Sequence, residues 1–430
     1  MKQKDSYPIP LLALAIHIVS LAIVFIILKA VGVFHTFPGN SNLVRFDALW
    51  YDSIAKDGYA YTDGQNNMAF FPLFAYIWKL TGSNAVGISI LNGAVYLSGM
   101  YMLIRHLKLT LSQALLILST PSLFFCYIPY SEAFFFLGST LILIGLDKKS
   151  PLLTLGGAVI TGFTRSVGIV FFPAIIFTLL IHWKKGEWKV NRRHLITTGW
   201  FCLIISVAAA LVIFFQYIET GESFVFFRVQ KYWRRSFGIP TLPFTTLSGI
   251  KILWLDGCAF LVAIVAAVIC FRSLGLFMLK GEHGASSRST DFSLAYLAVM
   301  GFVCSFFSGI WDSGSGTSLM SINRYIFAGP FMILFINRTI FSNLSSSILK
   351  DSMLVLSIII FTWCLLGAFG KPIGLDHYWQ SLLYFTCMTL YLLLYYCIRI
   401  DSRVSGWLYI INLFLQMYLY NKYISNQWVG

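Results

Sequence analysis

The sequence predicts an all-α protein that crosses a membrane many times, and three observations lead to this prediction. Hydrophobic residues make up 58% of the 430 residues and charged residues only 11%, with a mean hydropathy of +0.76. Apolar runs close to the roughly 20 residues that a helix needs to cross a hydrocarbon core recur along the whole chain. Because these runs are continuous rather than alternating, they predict helices and not the strands of a barrel.

The charge balance is strongly basic, with 31 Lys and Arg against 17 Asp and Glu. In a soluble protein this excess would suggest a nucleic-acid partner. Here the basic residues fall in short connections between apolar runs, as the positive-inside bias predicts, so we expect anionic membrane lipids and no nucleic acid as partners. The eight cysteines form no Cys-x-x-Cys pair and read as small core residues.

The first span is predicted at about residues 10–33, which form a run too long for a cleaved signal segment. With the lysine-bearing start inside, residues 34–85 form the first extracytoplasmic loop of a single transmembrane domain covering residues 1–430. Residues 44–55 in this loop have apolar positions at helical spacing, which predicts an amphipathic helix at the membrane interface.

The remaining apolar runs predict eleven to thirteen membrane segments in total. The short runs 151–163 and 167–181 have inner flanks on both sides and therefore predict a membrane hairpin. Residues 219–248 predict a second outer loop, and residues 272–291 predict the longest inner loop. Full spans are predicted at about 86–104, 109–128, 133–146, 195–217, 250–271, 292–311, 325–341, 354–369, 381–398 and 404–420.

This topology rests only on the placement of Lys and Arg, yet it gathers many polar residues on one face. Convergence of polar side chains is what a binding or catalytic site requires. The residues placed on that face include Asp47, Tyr130, Arg165, Tyr232, Asp312 and Arg324.

Asp47 is the candidate catalytic residue because it lies near the membrane surface at the end of the first span. There it could accept a proton from a hydroxyl whose reaction partner is anchored in lipid. A helix N-cap or a headgroup-facing aspartate is an equal alternative on spacing alone. Asp52 is a weaker candidate that could simply be solvated.

Arginines on the outer face suggest an anionic partner. Arg165 lies between two embedded half-segments, where its fork could bind phosphate oxygens, with snorkelling to headgroups as the alternative. Arg324 opens a span on the side where positive charge is disfavoured. Arg234, beside Arg235, Tyr232 and Trp233, gives the same indication.

Glu132 begins a predicted span, where helix capping explains a carboxylate better than direct catalysis does. The seven histidines are scattered without metal-ligand spacing, so no cofactor or metal is evident.

Five short motifs, taken in order, resemble the PIG-V family of mannosyltransferases within the GT-C class. Arg45-Phe46-Asp47 resembles the family's Arg-Trp-Asp, with Phe46 in place of tryptophan. Asn67-Met68-Ala69-Phe70-Phe71-Pro72-Leu73 resembles Asn-x-Ala-Phe-Phe-Pro-Leu, and Pro121-Ser122 with Tyr130-Ser131-Glu132 resembles a Pro-x and Tyr-Ser-Glu pairing. Thr164-Arg165-Ser166-Val167-Gly168 is similar to Thr-Arg-Ser-Asn-Gly, and Ser321-Ile322-Asn323-Arg324-Tyr325 is similar to Ser-x-x-Arg-Tyr. These motifs cover residues 40–335, and the last 90 or so residues add only spans.

The resemblance implies a GT-C bundle and an inverting transfer of a sugar, with mannose expected, from a polyprenyl- or dolichyl-phosphate donor to a glycan or glycolipid acceptor. Asp47 would be the base and Arg165, Arg324 and Arg234 would bind the donor phosphate. Further substrate-site candidates are Arg45, Asp52, Asn67, Tyr130, Glu132, Ser166, Tyr232 and Trp233.

A transporter or flippase for a lipid-linked or anionic solute is the main alternative, because its pathway could use the same arginines. A ligase using lipid-diphosphate donors is a second one, although its large outer loop would be expected late in the chain. The compact loops suggest a bacterial inner membrane with a periplasm-facing site; a eukaryotic protein would place the site in the ER lumen.

Overall fold

The computed structural model shows an all-α protein with membrane-length helices, which confirms the predicted fold class. The only strands among the described residues are four two-residue segments. The structure describes residues 8–62, 64–182, 192–233, 235–242, 244–245, 250–280, 286–308, 317–319, 321–341 and 375–429.

The first half of the chain forms a helical bundle that begins with a 23-residue helix. Short 3-10 helices at Asn67–Ala69, Pro121–Tyr127 and Ser166–Val170 connect some of its members. The helices are α1 (Pro8–Ala30), α2 (Asn40–Leu43), α3 (Asp47–Asp57), α4 (Pro72–Thr81), α5 (Ala85–Leu107), α6 (Leu111–Leu118), α7 (Glu132–Lys148), α8 (Pro151–Thr164) and α9 (Phe171–Ile181).

The second half adds longer helices and two small strand pairs. Strands β1 (Ser236–Phe237) and β3 (Phe307–Ser308) pair antiparallel, and β2 (Phe244–Thr245) and β4 (Thr317–Ser318) pair parallel. The helices are α10 (Arg192–Thr220), α11 (Val225–Tyr232), α12 (Ile250–Lys280), α13 (Arg288–Phe306), α14 (Ile322–Phe327), α15 (Pro330–Ile336), a π-helical turn at Asn337–Phe341, α16 (Leu375–Cys397) and α17 (Val404–Ile424).

Five helices among the described residues are long and apolar enough to cross a membrane, and a bent pair raises the number to six. The pair joins Pro121–Tyr127 to Glu132–Lys148 at an angle of 107°. The five helices are Pro8–Ala30, Ala85–Leu107, Leu195–Thr220, Trp254–Leu279 and Arg288–Phe306. The predicted span at 354–369 lies outside the described residues.

Two predicted uninterrupted spans are wrong because proline divides them. Residues 109–128 form α6 and then a 3-10 helix beginning at Pro121, and residues 325–341 are divided where Pro330 begins α15. A proline has no N–H to donate and fits the first turn of a helix, so each proline starts a new helix. Tyr130 follows the 3-10 helix that Pro121 begins, and Arg324 lies on the short helix α14 that ends before Pro330.

The predicted inner loop at 272–291 is also shorter than expected. Helix α12 continues to Lys280, because residues 273–280 remain apolar and helix-forming after the charged Arg272. The second outer loop is not structureless either, since α11, β1 and β2 lie within residues 219–248.

Glycines allow α7 and α8 to pack closely as an antiparallel pair. A Cβ added at Gly157 would lie 2.4 Å from the carbonyl oxygen of Gly138, and one at Gly145 would lie 2.4 Å from Oγ1 of Thr154. Small residues let helix backbones approach to this degree. The close packing brings the start of α7 next to the end of α8, so Glu132 and Arg165 become neighbours.

The two short helices predicted for the membrane hairpin are present and are divided at Arg165. Helix α8 ends where Arg165 adopts an extended backbone, with φ −152° and ψ 144°, and a 3-10 helix at Ser166–Val170 leads into α9. Helix α8 packs on α7 and α10, whereas α9 packs on α13, and the arrangement of the two as a membrane hairpin stays a prediction.

The opposite end of α7 is fixed by a separate polar cluster. The Asp147 carboxylate pairs with Nε2 of His106 at 2.9 Å and accepts hydrogen bonds from the N–H and Oγ of Ser289 at 3.0 and 2.6 Å. This cluster joins α5, α7 and α13, so the helices that carry the candidate site are tied together at both ends.

Candidate active site

A cavity of about 580 Å³ lies where four parts of the chain meet: α3, the break between α8 and α9 at Arg165, the residues that follow α11, and helix α14. This volume falls in the range of roughly 300–1,000 Å³ that is usual for small-molecule sites. The lining residues are Phe46, Asp47, Leu49, Trp50, Tyr51, Gln65, Ala69, Phe70, Phe71, Thr164, Arg165, Ser166, Val167, Gln230, Trp233, Arg235, Ser321, Arg324, Tyr325, Asn426 and Trp428.

Asp47 is the first residue of α3 and faces this cavity. Its backbone N–H donates to the hydroxyl of Tyr130 at 3.4 Å, and its Oδ2 accepts from a terminal nitrogen of Arg324 at 2.6 Å. The preceding residue, Phe46, has φ 50° and ψ −120°, a conformation that costs a residue with a side chain about 1–3 kcal/mol. The carboxylate is thus held from both its backbone and its side chain.

Glu132 joins the two arginines that the sequence placed in different parts of the chain. Its Oε1 accepts hydrogen bonds from both Arg165 and Arg324, and its side chain is only 2% exposed. Glu132 is the first residue of α7, as the capping interpretation requires, but its carboxylate pairs with guanidinium groups, which that interpretation did not predict. Two buried cations beside one another would be unstable without this negative charge.

Arg324 is the centre of the ion-pair network. Different nitrogens of its guanidinium contact Asp47 and Glu132, and the group also lies 4.6 Å from the ring centroid of Tyr130. The neighbouring Asn323 fixes the start of α14, since its N–H and side-chain amide both donate to Oδ1 of Asp256 on α12. The fork of Arg324 is therefore held in one orientation by packing and by hydrogen bonds.

Arg235 lines the cavity, whereas the sequence prediction named its neighbour Arg234 as the phosphate-binding residue. Arg235 donates to the Tyr325 hydroxyl at 3.0 Å, and the negative potential of that oxygen raises the pKa of the guanidinium. Arg165 lies 5.2 Å from the centroid of the same tyrosine ring. Arg234 lies outside the described residues, as does Asp312, so only Arg235 is seen at this position.

The site carries a positive excess. Three arginines, Arg165, Arg235 and Arg324, face two carboxylates, Asp47 and Glu132, which leaves one net positive charge when all are ionised. Within the described residues no group of three or more His, Cys, Asp or Glu side chains could hold a metal ion. The electrostatics therefore favour an anionic ligand that meets guanidinium groups.

An aromatic wall borders the arginines. The ring of Trp233 lies edge-on to Trp50 and Phe70, with centroids 5.7 and 5.6 Å away, and Trp50 and Phe70 are nearly parallel. The Trp233 indole nitrogen is buried without a hydrogen-bond partner. Since Gln65 and Gln230 also line the cavity, this part of it combines apolar ring faces with neutral polar groups.

Several predicted candidates do not take part in the cavity. Asp52 pairs with Lys56 at 2.7 Å on the helix surface, and Asn67 has a structural role, accepting from Ala60 N–H and donating to the Gly58 carbonyl. Arg45 and Tyr232 are described but do not line the cavity. Ser166 and Trp233 do line the cavity. Tyr130 is not a lining residue but contacts both Asp47 and Arg324.

The segment after α17 reaches the same cavity, contrary to the prediction that the last 90 residues add only spans. Asn426 and Trp428 are lining residues, and the Tyr423 hydroxyl donates to the Leu43 carbonyl at 2.6 Å. This contact joins residues 380 positions apart. The predicted topology places the end of the last span on the outer face. This was the one sequence signal that could have indicated its contact with the cavity.

No family model matches the chain, and no curated protein matches it. Among solved structures it is similar to the crystal structure of ArnT from Cupriavidus metallidurans bound to undecaprenyl phosphate. The similarity covers 98% of this chain and 78% of that chain, with 11% sequence identity and a TM-score of 0.48. These values assign the chain to no family, so the resemblance to the PIG-V family remains a prediction.

Proposed function

We propose that the protein is an inverting glycosyltransferase that moves a sugar from a polyprenyl- or dolichyl-phosphate donor to a hydroxyl of a glycan or glycolipid. The observation that carries this proposal is the cavity itself. At one end of a bundle of apolar helices it combines one carboxylate, Asp47, with three arginines. Those are the groups that proton removal from a hydroxyl and stabilisation of a leaving phosphate require.

Arg165, Arg235 and Arg324 form the donor end of the site. As the bond between the anomeric carbon and the phosphate oxygen breaks, its electron pair moves to the phosphate and negative charge grows there. Guanidinium groups fixed by Glu132 and Tyr325 can meet that charge without reorganising. Since a phosphate is already a competent leaving group, the arginines suffice for this step.

Asp47 is the proposed base. It accepts the acceptor's hydroxyl proton while the hydroxyl oxygen bonds to the anomeric carbon from the face opposite the phosphate, which inverts the configuration. Oδ2 of Asp47 accepts a hydrogen bond from Arg324 at 2.6 Å, so this oxygen is occupied until the guanidinium moves. A donor phosphate that draws Arg324 towards itself would release the carboxylate, so donor binding would prepare the base.

The aromatic wall forms the acceptor end. Trp50, Phe70 and Trp233 present ring faces and edges, while Gln65 and Gln230 present neutral amides. Such a surface suits a neutral hydroxylated ring, whose C–H faces pack on aromatic rings and whose hydroxyls bond to the amides. Mannose as the transferred sugar and a PIG-V relationship complete the proposal and rest on the sequence motifs. A periplasm-facing site also belongs to it and rests on the compact loops and the placement of Lys and Arg.

Sugar transfer by the purified protein in liposomes is the direct test, with radiolabelled sugars on a panel of polyprenyl phosphates and hydroxylated glycolipid acceptors. Asp47→Asn should lower turnover at least about a hundredfold because the base is lost. Asp52→Asn is the matched control, since Asp52 lies on the same helix but pairs with Lys56 at the surface. We expect it to retain wild-type turnover.

Two results would count against the proposal. Equal turnover in Asp47→Asn and Asp52→Asn would show that Asp47 is not the base. Absence of transfer with every donor, together with movement of a lipid-linked sugar across the bilayer that ignores Asp47→Asn, would favour a transporter instead.

A further inference from the structure

Phe46, the residue before the proposed base, has a backbone conformation that normally belongs to glycine. Its φ of 50° and ψ of −120° match the first central position of a type II′ turn. A side chain at this position is strained, whereas glycine adopts the same angles freely. Something outside the turn must therefore hold Phe46 in place.

The last turn of α17 and the residues that follow it supply the holding contacts. The Trp428 ring packs edge-on against the Phe46 ring with centroids 5.1 Å apart, and the Tyr423 ring lies 6.0 Å away. The Tyr423 hydroxyl also donates to the carbonyls of Leu43 and Arg45, at 2.6 and 3.4 Å. Tyr423 and Trp428 thus hold both the ring of Phe46 and the backbone that precedes it.

The peptide between Phe46 and Asp47 is set by the Phe46 ψ angle. If ψ relaxed, the Asp47 N–H would leave the Tyr130 hydroxyl, and the carboxylate would turn away from Arg324. The direction of the carboxylate therefore depends on whether the turn stays strained.

We propose that residues Tyr423–Val429 are a positioning element for Asp47, with Trp428 acting through Phe46 and not by contacting substrate. The catalytic consequence of this inference rests on the proposed function; its conformational basis does not. Because Phe46, Asn426 and Trp428 all line the cavity, the experiment has to separate positioning from direct substrate contact.

Two substitutions of Phe46 isolate the strain. Phe46→Ala and Phe46→Gly both lose the ring, but only glycine adopts φ 50° without strain. We expect kcat to fall about tenfold to a hundredfold in Phe46→Ala and only a few-fold in Phe46→Gly, while KM for the donor stays unchanged. Equal kcat values for the two variants would refute the role of the strained turn.

Trp428 is tested by its alanine and phenylalanine variants. Trp428→Ala should lower kcat about tenfold at an unchanged KM, and Trp428→Phe should restore most of it because a second ring can pack on Phe46. In a Phe46→Gly background Trp428→Ala should have little further effect. A rise in KM with kcat preserved would show substrate contact and overturn the proposal.

Thermal unfolding of the purified protein provides a readout that needs no activity. Single and double alanine variants of Phe46 and Trp428 form a cycle, in which we expect the double variant to unfold no lower than the less stable single variant. Additive decreases in the unfolding midpoint would refute the contact between the two rings. If wild-type protein transfers no sugar while the cycle shows coupling, the proposed function fails, but the contact by which Trp428 holds Phe46 is supported.

Discussion

At the residue scale, we expect the geometry of the Arg324 guanidinium to contribute more to catalysis than its positive charge does. Its guanidinium uses separate nitrogens for Asp47 and Glu132, which a single lysine nitrogen cannot reproduce. Arg324→Lys should therefore lower kcat about a hundredfold although the charge is retained. Kinetics of sugar transfer test this, with Arg228→Lys in an exposed pair with Glu222 as the control. A lysine variant as active as the control would show that charge alone suffices.

Glu132 gives a second prediction at this scale. Glu132→Gln leaves two buried arginines without their shared carboxylate, which should destabilise the protein by about 3–5 kcal/mol. A bound phosphate would supply the missing negative charge, so polyprenyl phosphate should raise the unfolding midpoint of this variant more than that of wild type. Thermal unfolding with and without the lipid measures both effects.

The exposed Glu222→Gln is the matched control for this measurement, because its pair with Arg228 is solvent-exposed. If polyprenyl phosphate raised the unfolding midpoint equally in Glu132→Gln and Glu222→Gln, the result would show that Glu132 is not linked to phosphate binding.

Sequence reasoning placed Asp47 and Arg165 on one face, and both line the cavity. Asp47 was named for its position at the end of the first span, and Arg165 because a charge between embedded segments is costly. The ion pairs of Glu132 were not predicted because its partners lie 33 and 192 positions away, and nothing in the adjacent sequence indicates them. Arg235 could not be distinguished from Arg234 without knowing which side chain turns inward.

At the element scale, the site depends on how closely α7 and α8 approach. Gly157→Val should force the pair apart, since an added Cβ meets the Gly138 carbonyl oxygen, while an added Cβ at the adjacent Gly156 meets nothing within 4 Å. We expect Gly157→Val to cost about 1–3 kcal/mol and to weaken donor use as Arg165 moves from Glu132. Thermal unfolding and the donor KM test it, and matching values for Gly156→Val would contradict the prediction.

The elements themselves were predicted in part. Helix α3 and the two short helices on either side of Arg165 followed from local periodicity and flanking charge, and these helices are confirmed. The breaks at Pro121 and Pro330 were not predicted, although each proline was visible, because hydropathy is continuous across it. Composition averaged over a window finds apolar segments but cannot show where one helix stops and another begins.

At the scale of the whole molecule, the two polar ends of α7 should act independently. Asp147→Asn weakens the contacts with His106 and Ser289 at the end opposite Glu132, and should lower stability by about 1–3 kcal/mol while kcat and donor KM stay unchanged. Its effect on unfolding should add to that of Glu132→Gln, because the sites are far apart and share no partner. A large change in kcat would show coupling along the helix.

The contact between Tyr423 and the turn at Phe46 also has a consequence for biosynthesis. The two ends of this contact are 380 residues apart, so at roughly 5–20 residues per second about 20–80 s separate their synthesis. During that interval the strained turn at Phe46 lacks its contacts with Tyr423 and Trp428. A newly inserted chain would therefore fix the proposed base in its final direction only after the last helix has been synthesised.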